Sequence, residues 1–378
     1  MKNKNIYRYG CMMLFLLTIL SSCKKAATPT VATNFLNYTI PEVPVTQNYV
    51  VGAFYTNFGS TFPAGSIQVP TVGKYSFPGG TPTPSVMQAQ IDQASVAKLD
   101  YFVFSVRSPT LDNGNFKTDS NTIVSFLAAP NAANINFAVS YNLSTGTLGI
   151  TNSGGTTGNG VTLETNAAKL LGFYNDIKRL SYWMTKSNYQ KVNGKYMLII
   201  NNAQDLNSND NVALYKQVRA NLSALGFDLY IVGMQQEWSP PQRYYYRFQN
   251  CVDAMYEDNM GNINNDTDRA FEFATMCDQN FAYWKQMIES WNMEFIPCVQ
   301  AAYNNQVASP TSTTLSFVRT NDGSFYRTFT NIAKRNASKS RLIFVNSFNN
   351  YSVDTQIEST VAYGTTFLDI TRTEFKTN

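Results

Sequence analysis

The sequence predicts an α/β fold, a single (β/α)8 barrel of the TIM type, and three observations lead to this prediction. Eight short apolar runs, rich in β-branched and aromatic residues, recur along the chain in the manner of strands buried on both faces. Segments with helical spacing of apolar residues, or gaps long enough for a crossover, separate these runs. Residues 49–378 are also enough for one barrel of this kind. A doubly wound open sheet is the alternative, because the same alternation fits it.

The apolar runs place the strands, and the helical periodicity places most of the connections. The predicted strands are 50–56, 100–106, 135–141, 196–201, 227–233, 251–256, 294–300 and 342–348. The predicted helices are 85–98, 164–185, 210–225, 266–291 and 323–337. Gly226 stands where a glycine ends a helix before the next strand. The long Pro/Gly-rich loops 59–84 and 143–163 follow strand ends, on the face where barrel enzymes build their sites.

The N-terminus has the pattern of a lipoprotein signal peptide. Basic residues precede an apolar run at 11–20, which is too short to span a bilayer as a helix. Small residues then precede Cys23, and this arrangement resembles the lipobox, whose cysteine is acylated. An ordinary secretory signal with a chance cysteine is the alternative. We therefore expect a signal peptide at 1–22, a lipidated Cys23 with a flexible tether at 23–48, and the barrel at 49–378. The expected location is the cell envelope, at the outer membrane of a Gram-negative bacterium.

Composition excludes several classes of function. Charged residues make up only 14% of the chain and the net charge is +4, without a basic stripe, so a nucleic-acid partner is not expected. The chain contains no histidine, which excludes a Ser-His-Asp triad, a Cys-His dyad and a His-ligated zinc site. Acid–base chemistry would have to use carboxylates, Tyr, Lys or water, and paired carboxylates are what glycoside hydrolases use.

Cofactors, metals and disulfides are not indicated either. No glycine-rich nucleotide fingerprint opens a helix after a strand, and the polar segment 258–268 lacks the spacing of an EF-hand loop. The three cysteines after Cys23 are odd in number and show no CxxC spacing. Buried thiols are the expectation for Cys251, Cys277 and Cys298, with one disulfide as the alternative.

The strand ends predict a binding site, because the carboxyl ends of barrel strands converge on one mouth. Amides and carboxylates there can bind hydroxyl groups, and aromatic faces can stack on sugar rings. Polar strand ends without a ligand are the alternative for each residue. Glu237 and Glu257 are the catalytic candidates, since carboxylates near an aromatic ring can have a raised pKa. The expected ligand contacts at these ends are Tyr55, Asn57, Asn202, Trp238 and Tyr256. The wider mouth includes Arg107, Tyr141, Asn142, Asn201, Gln235, Gln236, Asp258, Gln300, Tyr303 and Asn346.

Residues 342–358, LIFVNSFNNYSVDTQIE, resemble the last strand of glycoside hydrolase family 99 and its bacterial relatives, where the pattern is S-F-N-E-W-x-E-G-T-Q-I-E. Segments 54–59, 193–200 and 233–238 fit the family more loosely. The resemblance implies an α-mannan-related barrel whose ligand contacts include Asn349, Asn350, Tyr351, Gln356 and Glu358. The positions that match this pattern are Ser347, Phe348, Asn349, Thr355, Gln356, Ile357 and Glu358, and Tyr351 stands for the tryptophan.

The chain departs from this family at the two working carboxylates. Their positions correspond to Asn350 and Val353, and neither side chain can transfer a proton. Losing essential catalytic groups costs roughly 10⁴–10⁶-fold in rate. Asp354 lies one residue beyond the second position and is therefore a third catalytic candidate.

Three hypotheses follow. The first is a lipoprotein that binds an oligo- or polysaccharide without the family's chemistry. The second is an active glycoside hydrolase that uses Glu237, Glu257, Asp258 or Asp354. The third is an interaction lipoprotein that binds no glycan.

Overall fold

The computed structural model describes residues 38–57, 61–75, 81–151 and 160–377, and residues 39–378 form one compact unit. The predicted signal peptide and Cys23 lie outside the described residues, as do parts of the two long loops. Among the residues that are described, no helix is long and apolar enough to cross a membrane.

Eight parallel strands form the barrel that the sequence predicts. Each strand pairs with the next, and β8 pairs with β1. The first piece of β7 pairs with β6 and the second with β8, so β7 completes the ring. The short segment Lys191–Val192 adds an antiparallel pair to β4. The strands are β1 Val50–Tyr55, β2 Tyr101–Val106, β3 Asn136–Asn142, β4 Lys195–Asn201, β5 Leu229–Gln235, β6 Ala254–Glu257, β7 Glu294–Phe295 with Cys298–Val299, and β8 Leu342–Val345.

Helices cover the outside of the barrel between the strands. The long ones are α1 Pro84–Val96, α2 Asn113–Ala128, α3 Ala167–Met184, α4 Asn211–Ser223, α5 Phe273–Ser290, α6 Ser324–Asn336 and α7 Thr366–Phe375. Helices α2 and α7 are not predicted from the sequence, and the helix predicted at 266–291 is divided into Thr267–Phe271 and α5. Gly226 has a φ of +87° just beyond α4, as expected for a glycine that ends a helix.

Strand alternation separates two buried layers. Side chains such as Tyr101, Val103 and Phe344 fill the inside of the barrel, and their neighbours along each strand pack against the helices. The large rings inside the barrel leave space only for a small neighbouring residue, and Gly52 is this residue. A Cβ at Gly52 would lie 2.2 Å from the Tyr101 ring, so only glycine fits there. The same alternation decides which side chains at the strand ends face the mouth.

The segment predicted as a tether differs from the structure in its second half. Val43 N–H donates to Asn331 Oδ1 at 2.8 Å, and Lys334 Nζ donates to the Val43 carbonyl at 2.8 Å. Arg341 Nη2 donates to the Gln47 carbonyl at 2.7 Å. The packed unit therefore begins at Thr39 rather than at residue 49.

The first strand and the last helix are joined at the face opposite the strand ends. Tyr49 N–H donates to the Phe375 carbonyl at 2.9 Å, just before β1 begins. Lys376 Nζ donates to the Tyr49 carbonyl at 2.7 Å and contacts Asp100 Oδ2 at 2.5 Å. These bonds fix the beginning and the end of the barrel side by side.

The three cysteines in the described part of the chain, Cys251, Cys277 and Cys298, are buried free thiols, as predicted.

Candidate functional site

A cavity of about 580 Å³ opens at the carboxyl ends of the barrel strands. Its lining is polar but carries few charges: seven asparagines, several hydroxyl groups, one arginine and two aspartates. Such a surface offers many hydrogen-bond donors and acceptors to a hydroxyl-rich ligand. The lining residues are Phe54, Tyr55, Thr56, Asn57, Phe104, Ser105, Arg107, Asp119, Thr122, Ser140, Asn142, Asn201, Asp258, Asn259, Tyr303, Asn305, Asn346, Asn350 and Val353.

One side of the cavity is built by β1 to β3 and by helix α2. Asp119, on α2, forms a bidentate ion pair with Arg107. Nε donates to Oδ2 at 2.9 Å, and Nη2 donates to Oδ1 at 2.7 Å. The Arg107 backbone N–H also donates to Asp119 Oδ2 at 2.9 Å, and the carboxylate raises the pKa of Arg107. Thr122 follows one helical turn later and accepts from Asn57 Nδ2 at 2.7 Å. These bonds fix α2 to the ends of β1 and β2.

The opposite side is built by β6 to β8 and contains the second aspartate. Asp258 accepts from Asn346 Nδ2 and from the Asn259 N–H, the latter at 2.8 Å. The thiol of Cys298 lies 3.8 Å from Asp258 Oδ1. Burial raises the pKa of Asp258, and these hydrogen bonds offset part of that shift. Tyr303 lies nearby, and burial raises its pKa to about 12.

The two residues that the sequence resemblance aligns with the carboxylates of family 99 lie on the cavity wall. Asn350 and Val353 both line the cavity. The Asn350 side-chain oxygen accepts from the Ser352 N–H at 3.1 Å, and the Asn350 N–H donates to Ser347 Oγ at 2.6 Å. An amide and an isopropyl group therefore stand here, and neither is an acid or a base.

The matched residues Asn349 and Glu358 lie behind this wall. Asn349 is fully buried and holds the end of β1, because it accepts from the Thr56 N–H at 2.7 Å and donates to the Thr56 carbonyl at 3.1 Å. Glu358 accepts from Tyr75 Oη at 2.7 Å and from Gln90 Nε2 at 2.9 Å. Burial raises the pKa of Glu358 to about 7.

The other buried residues of this segment also contact protein groups. Tyr351 packs against the rings of Phe62 and Tyr75. Gln356 Nε2 donates to Asp354 Oδ1 at 2.9 Å. The catalytic candidate Asp354 is 2% exposed and does not line the cavity. Its burial raises its pKa, and its cationic partner is Arg319 at 3.5 Å.

Arg319 also fixes the path of the backbone after β8. Its Nη2 donates to the carbonyls of Asp354 at 2.8 Å and Gln356 at 2.7 Å. Its guanidinium lies 4.3 Å from the centroid of the Phe367 ring.

The structure does not bring Glu257 or Trp238 into the cavity. Strand alternation turns Glu257 outward, where it is fully buried and accepts from Asn280 Nδ2 at 2.5 Å and from the Trp238 N–H at 2.8 Å. Burial raises the pKa of Glu257 well above its ordinary value. Trp238 donates through Nε1 to the Met260 carbonyl at 3.0 Å. Both residues join β5 and β6 to the structure around them.

Glu237 is half-buried beside the cavity, although it is not part of the lining. It accepts from Asn262 Nδ2 at 2.6 Å, and its pKa is raised first by burial and further by the charge of Asp258. The charge of Glu237 also contributes to the raised pKa of Tyr303. Glu237 and Asp258 are therefore neighbours on the same side of the mouth.

The remaining predicted contacts divide between the cavity and the core. Tyr55 and Asn57 line the cavity, but the Tyr55 hydroxyl is committed to Gln90 Oε1 at 2.7 Å. Tyr256 is fully buried beneath the mouth and stacks on Phe54. Asn202 does not line the cavity, and its Nδ2 contacts the Leu143 carbonyl at 3.5 Å.

Among the lining residues that are not predicted from the sequence are Ser105, Ser140, Asp119 and Thr122. The two serines precede the strand ends by one or two positions. A single serine within an apolar strand was the feature of the sequence that could have indicated each of them. The other two lie on α2, which was not predicted. Asn259 and Asn305 lie on loops, where no regular spacing in the sequence indicates which side chains point into the cavity.

The fold is similar to that of several solved structures, and with one of them the similarity extends to the sequence. A structure described as a glycoside hydrolase-like protein is 27% identical, with a TM-score of 0.78 over 91% of this chain and 98% of the other. The family 99 endo-α-mannosidase from Bacteroides thetaiotaomicron is 16% identical, with a TM-score of 0.61 over 87% of this chain and 97% of the other. A family 5 glycoside hydrolase from Bifidobacterium longum subsp. infantis is 9% identical, with a TM-score of 0.55 over 88% of this chain and 80% of the other.

The resemblance to family 99 is thus supported, and the barrel is glycoside-hydrolase-like.

Among curated proteins, no sequence matches the chain. The model of one family, described as Glycosyltransferase WbsX, matches residues 172–371. These residues are more than half of the chain and include β4 to β8. The chain belongs to this WbsX family.

Proposed function

We propose that this protein binds an oligo- or polysaccharide of the mannan type in the barrel cavity, without the catalysis of family 99. One observation carries the proposal: Asn350 and Val353, which the sequence resemblance aligns with that family's two carboxylates, line the cavity. The ligand class is supported by the amide-rich lining and by the endo-α-mannosidase whose fold the barrel shares. The cavity wall carries neither an acid nor a base at these two positions.

The charges in the cavity also support a carbohydrate. Arg107 is the one cation in its described lining, and Asp119 already compensates it. A glycosyltransferase, the activity for which the WbsX family is named, would bind a nucleotide-sugar donor, whose diphosphate favours several cations. Neutral hydroxyl groups need no such compensation. We therefore favour glycan binding over glycosyl transfer.

Hydrolysis by other carboxylates is the second candidate, and the geometry near Asp258 favours it specifically. Asp258 lines the cavity, Glu237 lies beside it, and both have a raised pKa. A raised pKa suits a carboxyl group that donates a proton. This pair would then take the place of the family's carboxylates, with Tyr303 close enough to feel both charges.

Binding and turnover can be separated in one experiment. Residues 26–378 contain the whole packed unit, and this protein is incubated with α-mannan, α-mannooligosaccharides and other α-glycans. Calorimetry measures binding, while reducing-end release measures hydrolysis. We expect binding without release. Release that disappears in Asp258→Asn would establish the hydrolase instead, and the absence of both signals would refute a role with these glycans.

A gain-of-function variant tests the lost chemistry directly. Asn350→Glu with Val353→Glu restores carboxyl groups at the two wall positions. If the cavity still holds a sugar in the orientation of family 99, slow release of reducing sugar should appear. Asn350→Gln with Val353→Leu is the matched control, because it changes size without adding an acid.

We also propose that the chain is a lipoprotein of the outer membrane, anchored through Cys23. The support is the sequence pattern before Cys23. Labelled palmitate should be incorporated into the wild-type chain in a Gram-negative host and be lost in Cys23→Ala. Equal labelling of both proteins would refute the anchor site.

A further inference from the structure

We propose that the β2–β3 side of the cavity is a subsite for an uncharged sugar ring. In this subsite Arg107 and Asp119 hold two neighbouring hydroxyl groups, and Ser140 binds a third polar group. The inference rests on the proposed glycan binding. It identifies the wall of the cavity that recognises the sugar ring, and it explains why this ring should carry no charge.

Ser140 provides the first argument. It lies on β3, is completely buried and lines the cavity. Its Oγ has no hydrogen-bond partner among the described residues. A buried hydroxyl without a partner destabilises a protein, so such a group calls for an explanation. Ser105 is its partner in the strand pairing and also lines the cavity, so two small side chains leave room at this point.

The ion pair provides the second argument. Two nitrogens of the Arg107 guanidinium contact Asp119, whereas Nη1 has no acceptor among the described residues. Asp119 Oδ1 accepts one hydrogen bond and can accept another. The pair therefore retains one donor, Nη1, and one acceptor site, on Oδ1, that no described protein group uses. Two neighbouring hydroxyls fit this arrangement, because one can accept from Nη1 while the other donates to Oδ1.

The support behind the pair keeps it in position. Asp119 and Thr122 lie one turn apart on α2, and the Thr122 bond to Asn57 joins this turn to the end of β1. The Arg107 N–H bond joins the same turn to the end of β2. A preorganised pair loses little conformational entropy when a ligand binds.

The charge of the pair decides the kind of sugar. Asp119 neutralises Arg107, so an acidic sugar would bring a second negative charge next to a carboxylate. Replacing the carboxylate by an amide keeps its shape and leaves the arginine uncompensated. The subsite should then prefer an acidic sugar.

The test uses the full chain, purified in detergent, with an α-mannooligosaccharide and an oligomannuronate as probes. We expect Ser140→Ala to weaken mannooligosaccharide binding by about 5- to 10-fold, which is the effect of one neutral hydrogen bond. The melting temperature of the free protein should stay the same or rise, since no protein bond is lost. Asp119→Asn should weaken mannooligosaccharide binding about 10-fold and strengthen oligomannuronate binding.

Ser125→Ala is the matched control. Ser125 is also buried, but its Oγ donates to the Pro82 carbonyl at 2.6 Å and it does not line the cavity. This variant should lower the melting temperature and leave binding unchanged.

The outcomes separate the subsite from the proposed function. Unchanged binding in Ser140→Ala and Asp119→Asn, with a wild type that binds, would overturn the subsite and leave glycan binding intact. A wild type that binds neither probe would refute the proposed function for these sugars. In that case the melting temperature of Ser140→Ala still decides the subsite: a fall like that of Ser125→Ala overturns it, and an unchanged or higher value supports it.

Discussion

Two parts of the barrel mouth use polar residues in opposite ways. In the segment after β8, which matches the family 99 pattern, buried polar groups such as Asn349 and Glu358 bond to other parts of the protein. On the β2–β3 side, Ser140 and Arg107 line the cavity, and neither Ser140 Oγ nor Arg107 Nη1 has a protein partner among the described residues. The recognisable motif therefore supports the structure of the mouth, and the less recognisable side is the one prepared for a ligand.

The same division exists within the motif. Matched residues such as Ile357 and Glu358 are buried, while the divergent Asn350 and Val353 line the cavity. Sequence similarity at this strand end thus reports on folding more than on chemistry. Four experiments can break or sharpen this comparison.

The largest effect is expected for Arg319→Ala. It leaves Asp354 buried without its cation and removes two hydrogen bonds to the backbone. Breaking a buried pair from one side costs about 3–5 kcal/mol, which urea unfolding would measure. Arg372→Ala is the control, because its pair with Asp369 is about 40% exposed on both sides and is worth less than about 1 kcal/mol. Equal losses would mean that the buried pair does not hold the segment.

The pH dependence of stability should identify Glu358. Its pKa is about 7 in the folded protein and 4.5 in an ordinary carboxyl. Between these pH values the unfolded chain releases the proton first. The wild type therefore loses about 3 kcal/mol of unfolding free energy through this group as the pH rises from 4.5 to 7.

Glu358→Gln cannot titrate and should lack this loss, so its stability relative to the wild type should increase over the same range. Chemical unfolding at a series of pH values provides the measurement. The exposed Glu42→Gln serves as the control and should follow the wild-type profile. An unchanged pH profile in Glu358→Gln would show that its proton does not influence folding.

Asn142 and Asn349 are one residue type with two uses. Asn142 lines the cavity, and we expect Asn142→Ala to weaken glycan binding by about 5- to 10-fold with little change in stability. Asn349→Ala removes both hydrogen bonds to Thr56, so its main effect should be a lower unfolding temperature. Calorimetry and thermal unfolding of both variants give the comparison. Equal loss of stability in the two proteins would contradict it.

The smallest effect is expected at the cavity wall. Val353 is only half-buried, so Val353→Ala should cost less than about 1 kcal/mol of unfolding free energy. Ile357 is 1% exposed, and Ile357→Ala should cost about 2–5 kcal/mol. Urea unfolding of the two variants measures the contrast between a divergent and a matched position. Similar costs at both positions would remove the distinction.

The fold was accessible from the sequence because strands buried on both faces are continuous apolar runs. All eight predicted runs overlap the strands of the barrel. Helix α2 was missed because asparagine, threonine, serine and glycine fill much of it, and these residues have low helix propensity. Its burial against the barrel overrides that propensity. The loss of α2 from the prediction also concealed Asp119 and Thr122.

The site could be predicted only in part, because successive side chains of a strand point to opposite faces. Placing every polar strand end at the mouth found Asn57, Asn142 and Asn346, but it also included outward-facing residues such as Glu257. A one-residue change of register moves a side chain from the cavity to the helix layer. The pairing between strands was needed to decide each case.

The bonds that join Tyr49 to Phe375 and Lys376 have a practical consequence. Both the entry into the barrel and the exit from it lie at the base, a full strand length from the cavity. A sensor surface or a fused reporter attached at either end would leave the cavity open to large polymers. Chains of intact mannan could therefore be presented to the protein on a chip without crowding from the support.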